Sequence, residues 1–130
     1  MKRGLIVIII ASVMLTACVL ELIYVRNTFE KMNVKVESLI VEIEKDEERA
    51  MRAETLRQAV DLKEFWNKRK RLTQVMLNHL LLIEYDARIA RVQSDIEVGD
   101  RDLAKIDADQ LLEMTRELKD LHTPHIHNIF

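Results

Sequence analysis

The residues of this sequence with the most reactive side chains are four histidines and one cysteine, and their spacings do not name a reaction. His122, His125 and His127 put three imidazoles close together near the end of the chain, and His79 supplies a further ring nitrogen upstream. Zinc accepts such ligands. The His-x-x-His-x-His arrangement is not a recognised site spacing, however, and Pro124 extends the segment. The simpler reading is a tail laid across a helical body with Ile126, Ile129 and Phe130 buried, so no metal ligand is assigned. His79 and Glu84 form an acid–base pair by type, but on a helix they lie five positions apart and point in different directions. No Ser or Cys nucleophile stands at a telling position in the charged part of the chain, and catalysis needs a second group within reach. His79 therefore reads as a member of an apolar stripe. Catalytic, cofactor-binding and metal residues are all expected to be absent, and the chain is expected not to be an enzyme.

Cys18 raises a different chemistry. Leu15-Thr16-Ala17-Cys18 has the form of a bacterial lipoprotein box, in which the signal is cut before the cysteine and the thiol carries lipid. The basic start Met1-Lys2-Arg3 and the apolar run behind it fit a secretory signal. A lipidated cysteine is normally followed by a polar tether, whereas here Val19 to Val25 stays largely apolar. An uncleaved anchor accounts for more. Gly4 to Leu20 carries no charge, and Glu21 falls roughly 25 Å along a helix from Gly4, near the far edge of a hydrocarbon layer about 30 Å thick. Tyr24 and Arg26 suit the same interface as an amphipathic ring and a snorkelling cation. The preferred reading is a spanning helix, with lipidation at Cys18 as the alternative. Lys2 and Arg3 before it are matched by Arg26, Lys31 and Lys35 after it, so the bare charge count leaves orientation open. A very short basic tail before a first helix behaves as a signal anchor, which places the N-terminus inside and the rest outside the cytoplasm.

Lys68-Arg69-Lys70-Arg71 is the one basic run. Four consecutive residues span the whole circumference of a helix and do not share one face. Asp61 and Glu64, a turn back, are placed to pair with them, which favours a solvated face over contact with anionic lipid headgroups. Trp66 and the methionines fall on helical stripes and read as core rather than as a ligand pocket. Trp66 and Phe65 are adjacent and point apart, so one of them lies nearer the surface.

The elements that must position these residues are all helical. The chain has 130 residues with two Gly and one Pro, and its 48% hydrophobic and 32% charged residues are segregated, the apolar excess lying in the first 25 positions. A formal net charge of -2 gives no electrostatic case for nucleic acid, and one cysteine excludes an internal disulfide framework. Phe29, Met32, Val36, Leu39 and Ile43 recur at steps of three and four, in phase with Leu22 and Val25, which predicts one long helix from the membrane segment to about Lys45. Glu44-Lys45-Asp46-Glu47-Glu48 is the expected break. A second helix is expected over about Glu48 to Leu80, with Leu56, Ala59, Val60, Phe65, Trp66, Leu72, Met76 and His79 broadly on one side. A third carries Leu82, Tyr85, Ile89, Val92 and Ile96. Between Asn78 and Glu84 the sequence lacks a strong breaker, so the join is either a tight turn or a bend. Gly99 reads as a helix stop and Asp100 as the next N-cap. The fourth helix carries Leu103, Ile106, Leu111, Met114, Leu118 and Leu121 and ends at Thr123-Pro124. The stretches opening at Asp46 and Asp100 share a loose pattern through Ala50 and Ala104, which common helical composition explains.

Leu62-Lys63-Glu64-Phe65-Trp66-Asn67-Lys68, then Asn78-His79 and Glu84, then Arg88-Ile89-Ala90-Arg91-Val92, the turn at Gly99-Asp100 and the closing His127-Asn128-Ile129-Phe130 give nearly the whole chain a second kind of signal. In these features it resembles the domain of unknown function family 4363, small single-pass proteins of spore-forming bacteria with a helical body and an Asn-Ile-Phe or similar ending. The resemblance implies an uncleaved anchor, membrane work beside a multi-spanning partner, and no enzyme activity. The His-rich tail and Cys18 depart from the family pattern.

The expected architecture is all-α: a short cytoplasmic tail (1–3), a transmembrane signal anchor (4–25), a juxtamembrane helix (26–47), and a helical domain with an extended tail (48–130), forming a small bundle or helical hairpins. The expected function is a single-pass cell-membrane interaction or scaffold protein with a protein partner in the membrane. The alternative is a sensory or ligand-binding bundle, although Met1-Lys2-Arg3 is too short to serve as a cytoplasmic output.

Overall fold

The computed structural model describes residues 1–46, 53–74 and 77–121. Within them the chain forms α1 (Lys2–Lys45), α2 (Ala53–Thr73), α3 (His79–Val98) and α4 (Arg101–Leu121), which make up 94% of the described residues, with no strand among them. α1 and α3 each pack closely on α2 and α4, and the backbones of the diagonal pairs lie farther apart. Short connections make successive helices antiparallel, so the result is an up-down-up-down four-helix bundle.

α1 is 44 residues long, about 66 Å of helix, and it has two halves. From Lys2 to Glu21 every residue is exposed, and this stretch is long and apolar enough to cross a membrane. From Val25 onward the expected seam closes into the core, with Phe29, Met32, Val36, Leu39 and Ile43 wholly inaccessible. Leu82, Tyr85, Ile89, Val92 and Ile96 of α3 are buried as their spacing predicts. The turns also follow the sequence. Gly99 adopts the left-handed φ of 84° that ends α3, and the Asp100 carboxylate accepts the Leu103 amide at 3.0 Å to open α4.

Two helices differ from their expected form. The expected second helix to Leu80 stops at Thr73, and α3 starts at His79. The join is a true turn, because the Asn78 side chain accepts the Leu80 amide at 3.0 Å and caps α3. His79 therefore lies exposed in the first turn of α3 and not on the α2 stripe. Leu72 is also off the stripe, 58% exposed, and the core positions of α2 are Thr55, Ala59, Leu62, Trp66 and Thr73. Leu56, Val60 and Phe65 are partly buried. On α4, Leu103, Ile106 and Leu121 face outward, while Ala104 and Ala108 join Leu111, Met114 and Leu118 in the core. Small residues there allow α4 to approach α1 closely near the Arg101 end. The expected N-terminal part of the second helix, Met76 on its stripe, and the Ala50 of the loose repeat lie outside the described residues.

Candidate functional site

The place where the exposed half of α1 enters the bundle is the most heavily constructed part of the molecule. Phe29 of α1, Trp66 of α2 and Tyr85 of α3 meet there, with ring centroids 5.9 Å apart for Phe29–Trp66, 5.8 Å for Phe29–Tyr85 and 4.7 Å for Trp66–Tyr85. The last two contacts are edge-to-face, the arrangement favoured by ring quadrupoles. Trp66 wins the interior over Phe65 because its indole N–H has a partner. Nε1 donates to the Asp86 carboxylate, which also takes the Lys70 ammonium at 3.3 Å. The fourth helix closes the layer through oxygen. Thr115 Oγ1 donates to the Leu111 carbonyl at 2.6 Å and stands 2.7 Å from the Tyr85 hydroxyl, so Tyr85 is the donor to Thr115. Burial pushes the Tyr85 phenol well above its usual value, and it stays neutral at any physiological pH.

Nearer the exposed half of α1, Arg69 lays its guanidinium 5.0 Å from the Tyr24 ring centroid and 5.2 Å from that of Phe65. Lys35 approaches the Phe65 ring at 5.0 Å. Phe65 is thus a rim residue covered by cations, which explains its partial exposure beside a buried Trp66. Thr28 folds its hydroxyl back on the Tyr24 carbonyl at 2.9 Å, so this buried polar group is satisfied inside α1 itself. The arrangement clamps α1 to the other three helices.

A groove of about 500 Å³ runs between α3 and α4, lined mainly by Leu81, Glu84, Arg88, Glu113, Glu117 and Leu121. Arg88 crosses it, donating to Glu84 at 3.1 Å and to Gln110 at 3.0 Å. At the opposite end of the bundle, Asp95 is pushed up to about 6 by burial, by the adjacent Asp107 carboxyl and by Asp100, against a lowering by Arg91.

His79 and Glu84 are both exposed and form no hydrogen bond with each other; Glu84 is engaged by Arg88. The ion pairs anticipated for the basic run are different from those observed. Asp61 pairs with Arg57 at 2.7 Å, while Lys70 reaches across to Asp86 and Arg69 to two rings. Cys18 is an exposed free thiol on the apolar half of α1. His122, His125 and His127 lie outside the described residues, and among the described residues no group of three or more metal-ligating side chains converges. Asp86 and Thr115 escape a sequence reading because their partners are 20 and 30 positions away, a distance that only the bundle topology closes.

Residues 23–129 match the model of a domain of unknown function, DUF4363, and the chain belongs to that family. The match begins close to where exposed α1 becomes buried α1. No curated protein and no solved structure matches the chain.

Proposed function

We propose that this protein is a membrane-anchored helical scaffold that holds its four-helix bundle at a fixed height beside the bilayer for interaction with a protein partner in the membrane. The observation that carries the reading is the continuity of α1. Residues from Gly4 to Leu20 are uncharged, predominantly apolar and exposed, and the same helix, without interruption, becomes one wall of the bundle core. An exposed apolar surface of that length is stable only against another apolar phase. The domain is thus carried on a rigid helix instead of a flexible tether. Support for interaction over chemistry comes from the aromatic layer, where the polar groups are engaged with one another. The domain is proposed to lie outside the cytoplasm.

A reporter active only outside the cytoplasm, fused after Phe130, tests the topology. Activity supports the proposed side, and activity of a cytoplasmic reporter in its place reverses it. Cross-linking in intact membranes followed by mild-detergent purification tests the partner. A membrane protein recovered in a fixed ratio is the expected result. Recovery of the chain alone, under conditions that preserve the bundle, refutes the scaffold.

A further inference from the structure

The bundle is electrically polar along its axis. On the side of the aromatic layer from which the apolar half of α1 emerges (residues 21–28, 67–74, 77–84 and 117–121), six basic side chains stand against four acidic ones. On the other side (29–46, 53–66 and 85–116), ten basic stand against sixteen acidic. The excess at the base comes from one place, the last turn of α2. Lys68 and Arg71 are exposed there, and neither forms an ion pair among the described residues, while Arg69 lies against Tyr24. Beside them, Leu72 is 58% and Leu80 73% exposed, two large apolar side chains at the turn that joins α2 to α3.

The height of this turn follows from α1. Crossing a hydrocarbon layer about 30 Å thick takes roughly 20 residues of helix, so a span that begins at Gly4 ends near Ile23. Tyr24 then sits at the headgroup level, and Arg69, with its guanidinium 5.0 Å from the Tyr24 ring, is held at the same height. Four consecutive cations on one helix do not share a face, but at the end of a helix that points at a plane they do not need to. Side chains on all sides of the last turn reach a planar surface below it.

We propose that the α2–α3 end of the bundle is a lipid contact site, in which Lys68 and Arg71, with Arg69, bind the phosphates of anionic lipid headgroups while Leu72 and Leu80 enter the interface. The acidic far end is held away from the same negative surface. This inference rests on the membrane anchor proposed above, and it adds a second contact with the bilayer that fixes the rotation of the bundle about α1. The juxtaposition of exposed cations and exposed leucines at the same end of the bundle is what favours lipid over a soluble anion.

The test uses the full chain in lipid nanodiscs of phosphatidylcholine alone or with added phosphatidylglycerol. In a Cys18→Ser background, a nitroxide is placed in turn at Leu80→Cys, Val98→Cys and Ile10→Cys, and its depth is read from collision with oxygen and with a water-soluble relaxant. With the anionic lipid, the Leu80 label is expected at headgroup depth, the Val98 label in water and the Ile10 label deep in hydrocarbon. Lys68→Glu combined with Arg71→Glu, or raised salt, is expected to return the Leu80 label to water without moving the Ile10 label, because screening and charge reversal act on the contact alone. Circular dichroism of the double variant is expected to be unchanged, since both positions are exposed. A Leu80 label equally water-exposed in both lipids, with Ile10 still deep, overturns the lipid site and leaves the anchor standing. An Ile10 label in water overturns both.

Discussion

Val36→Asp separates a bundle folded on itself from one assembled between copies. Val36 is wholly inaccessible in the middle of the α1 seam. Removing the valine forfeits about 1.5 to 3 kcal/mol of apolar burial. The new carboxyl has no partner in a dry seam and must bind a proton at neutral pH. A shift of about three pKa units costs roughly 4 kcal/mol. The sum, about 6 kcal/mol, is comparable with the entire stability of a domain this size, about 5 to 15 kcal/mol. The bundle is expected to unfold while the chain remains membrane-attached through the first half of α1. The assay is limited proteolysis in membranes, with Val34→Asp as the control. Val34 is two positions away and 64% exposed, so its substitution is expected to stay within about 0.5 kcal/mol of the parent. The pH dependence has a definite sign. The substituted carboxyl has a folded value above its unfolded one, so the penalty is small in acid and grows as pH rises through the raised value. A Val36→Asp protein that stays protease-resistant but loses cross-linking between copies would refute intramolecular packing and make the seam a subunit interface.

Asp95, held up to about 6 chiefly by burial and by the neighbouring Asp107 carboxyl, stabilises the fold when protonated, and that contribution is lost as pH rises through 6. Asp95→Asn should therefore melt higher than the parent at pH 7, by an amount that water screening limits to roughly 1 kcal/mol, and the advantage should disappear in a melt at pH 4. Arg101 donates to the Ile43 and Glu44 carbonyls at 3.3 and 3.2 Å, satisfying the C-terminal end of α1 from another helix. Arg101→Ala is expected to cost about 1 kcal/mol in denaturant unfolding and to speed amide exchange in the last turn of α1. Cys18→Ala should leave the apparent mass and the membrane attachment unchanged on electrophoresis of membrane fractions. A mobility shift that vanishes with the substitution would establish a lipoprotein.

What the sequence makes legible is what repeats locally. The α1 seam and the α3 stripe are uniform in residue type, so their spacing alone assigns their buried faces, and Gly99-Asp100 marks a turn by backbone chemistry that few residues can supply. α4 is less legible because its contact with α1 uses Ala104 and Ala108 in place of large residues. Leu103 and Ile106 have the right type and the wrong face. The end of α2 is not legible, because Asn78 is an ordinary helix cap whose signal is no stronger than that of many exposed asparagines, and the apolar run from Leu80 to Ile83 continues past it. Partners across helices, such as Trp66 with Asp86 or Tyr85 with Thr115, have no local spacing at all. They become readable only when the bundle topology is known. The same holds for the base of the bundle. Lys68 to Arg71 looks like a solvated face when taken as a piece of helix, and like a planar contact only when the turn at its end is placed beside Tyr24.

The exposure pattern of α1 also bears on how the domain is attached. If Cys18 carried lipid, the leaflet surface would lie at about that residue, and Val19, Leu20 and Ile23, which are 47%, 61% and 57% exposed, would stand in water between the lipid and the bundle. Among the described residues no other helix covers them, since the core begins at Val25. Each exposed apolar side chain of that size forfeits burial worth about 1 to 2 kcal/mol. A spanning helix places the same three residues in hydrocarbon or at its edge and leaves Glu21 able to reach the headgroups. The proposed anchor, with a bilayer reaching up to the base of the bundle, thus accounts for residues 19 to 24 with less exposed apolar surface than a lipid-bearing tether does. With no Gly or Pro in α1 after Gly4, the sequence places no hinge in the connection. Any force or tilt applied to the anchor is transmitted directly into the wall of the core formed by Phe29, Met32 and Val36. That mechanical continuity, which a flexible lipoprotein linker lacks, is what the proposed scaffold role would require.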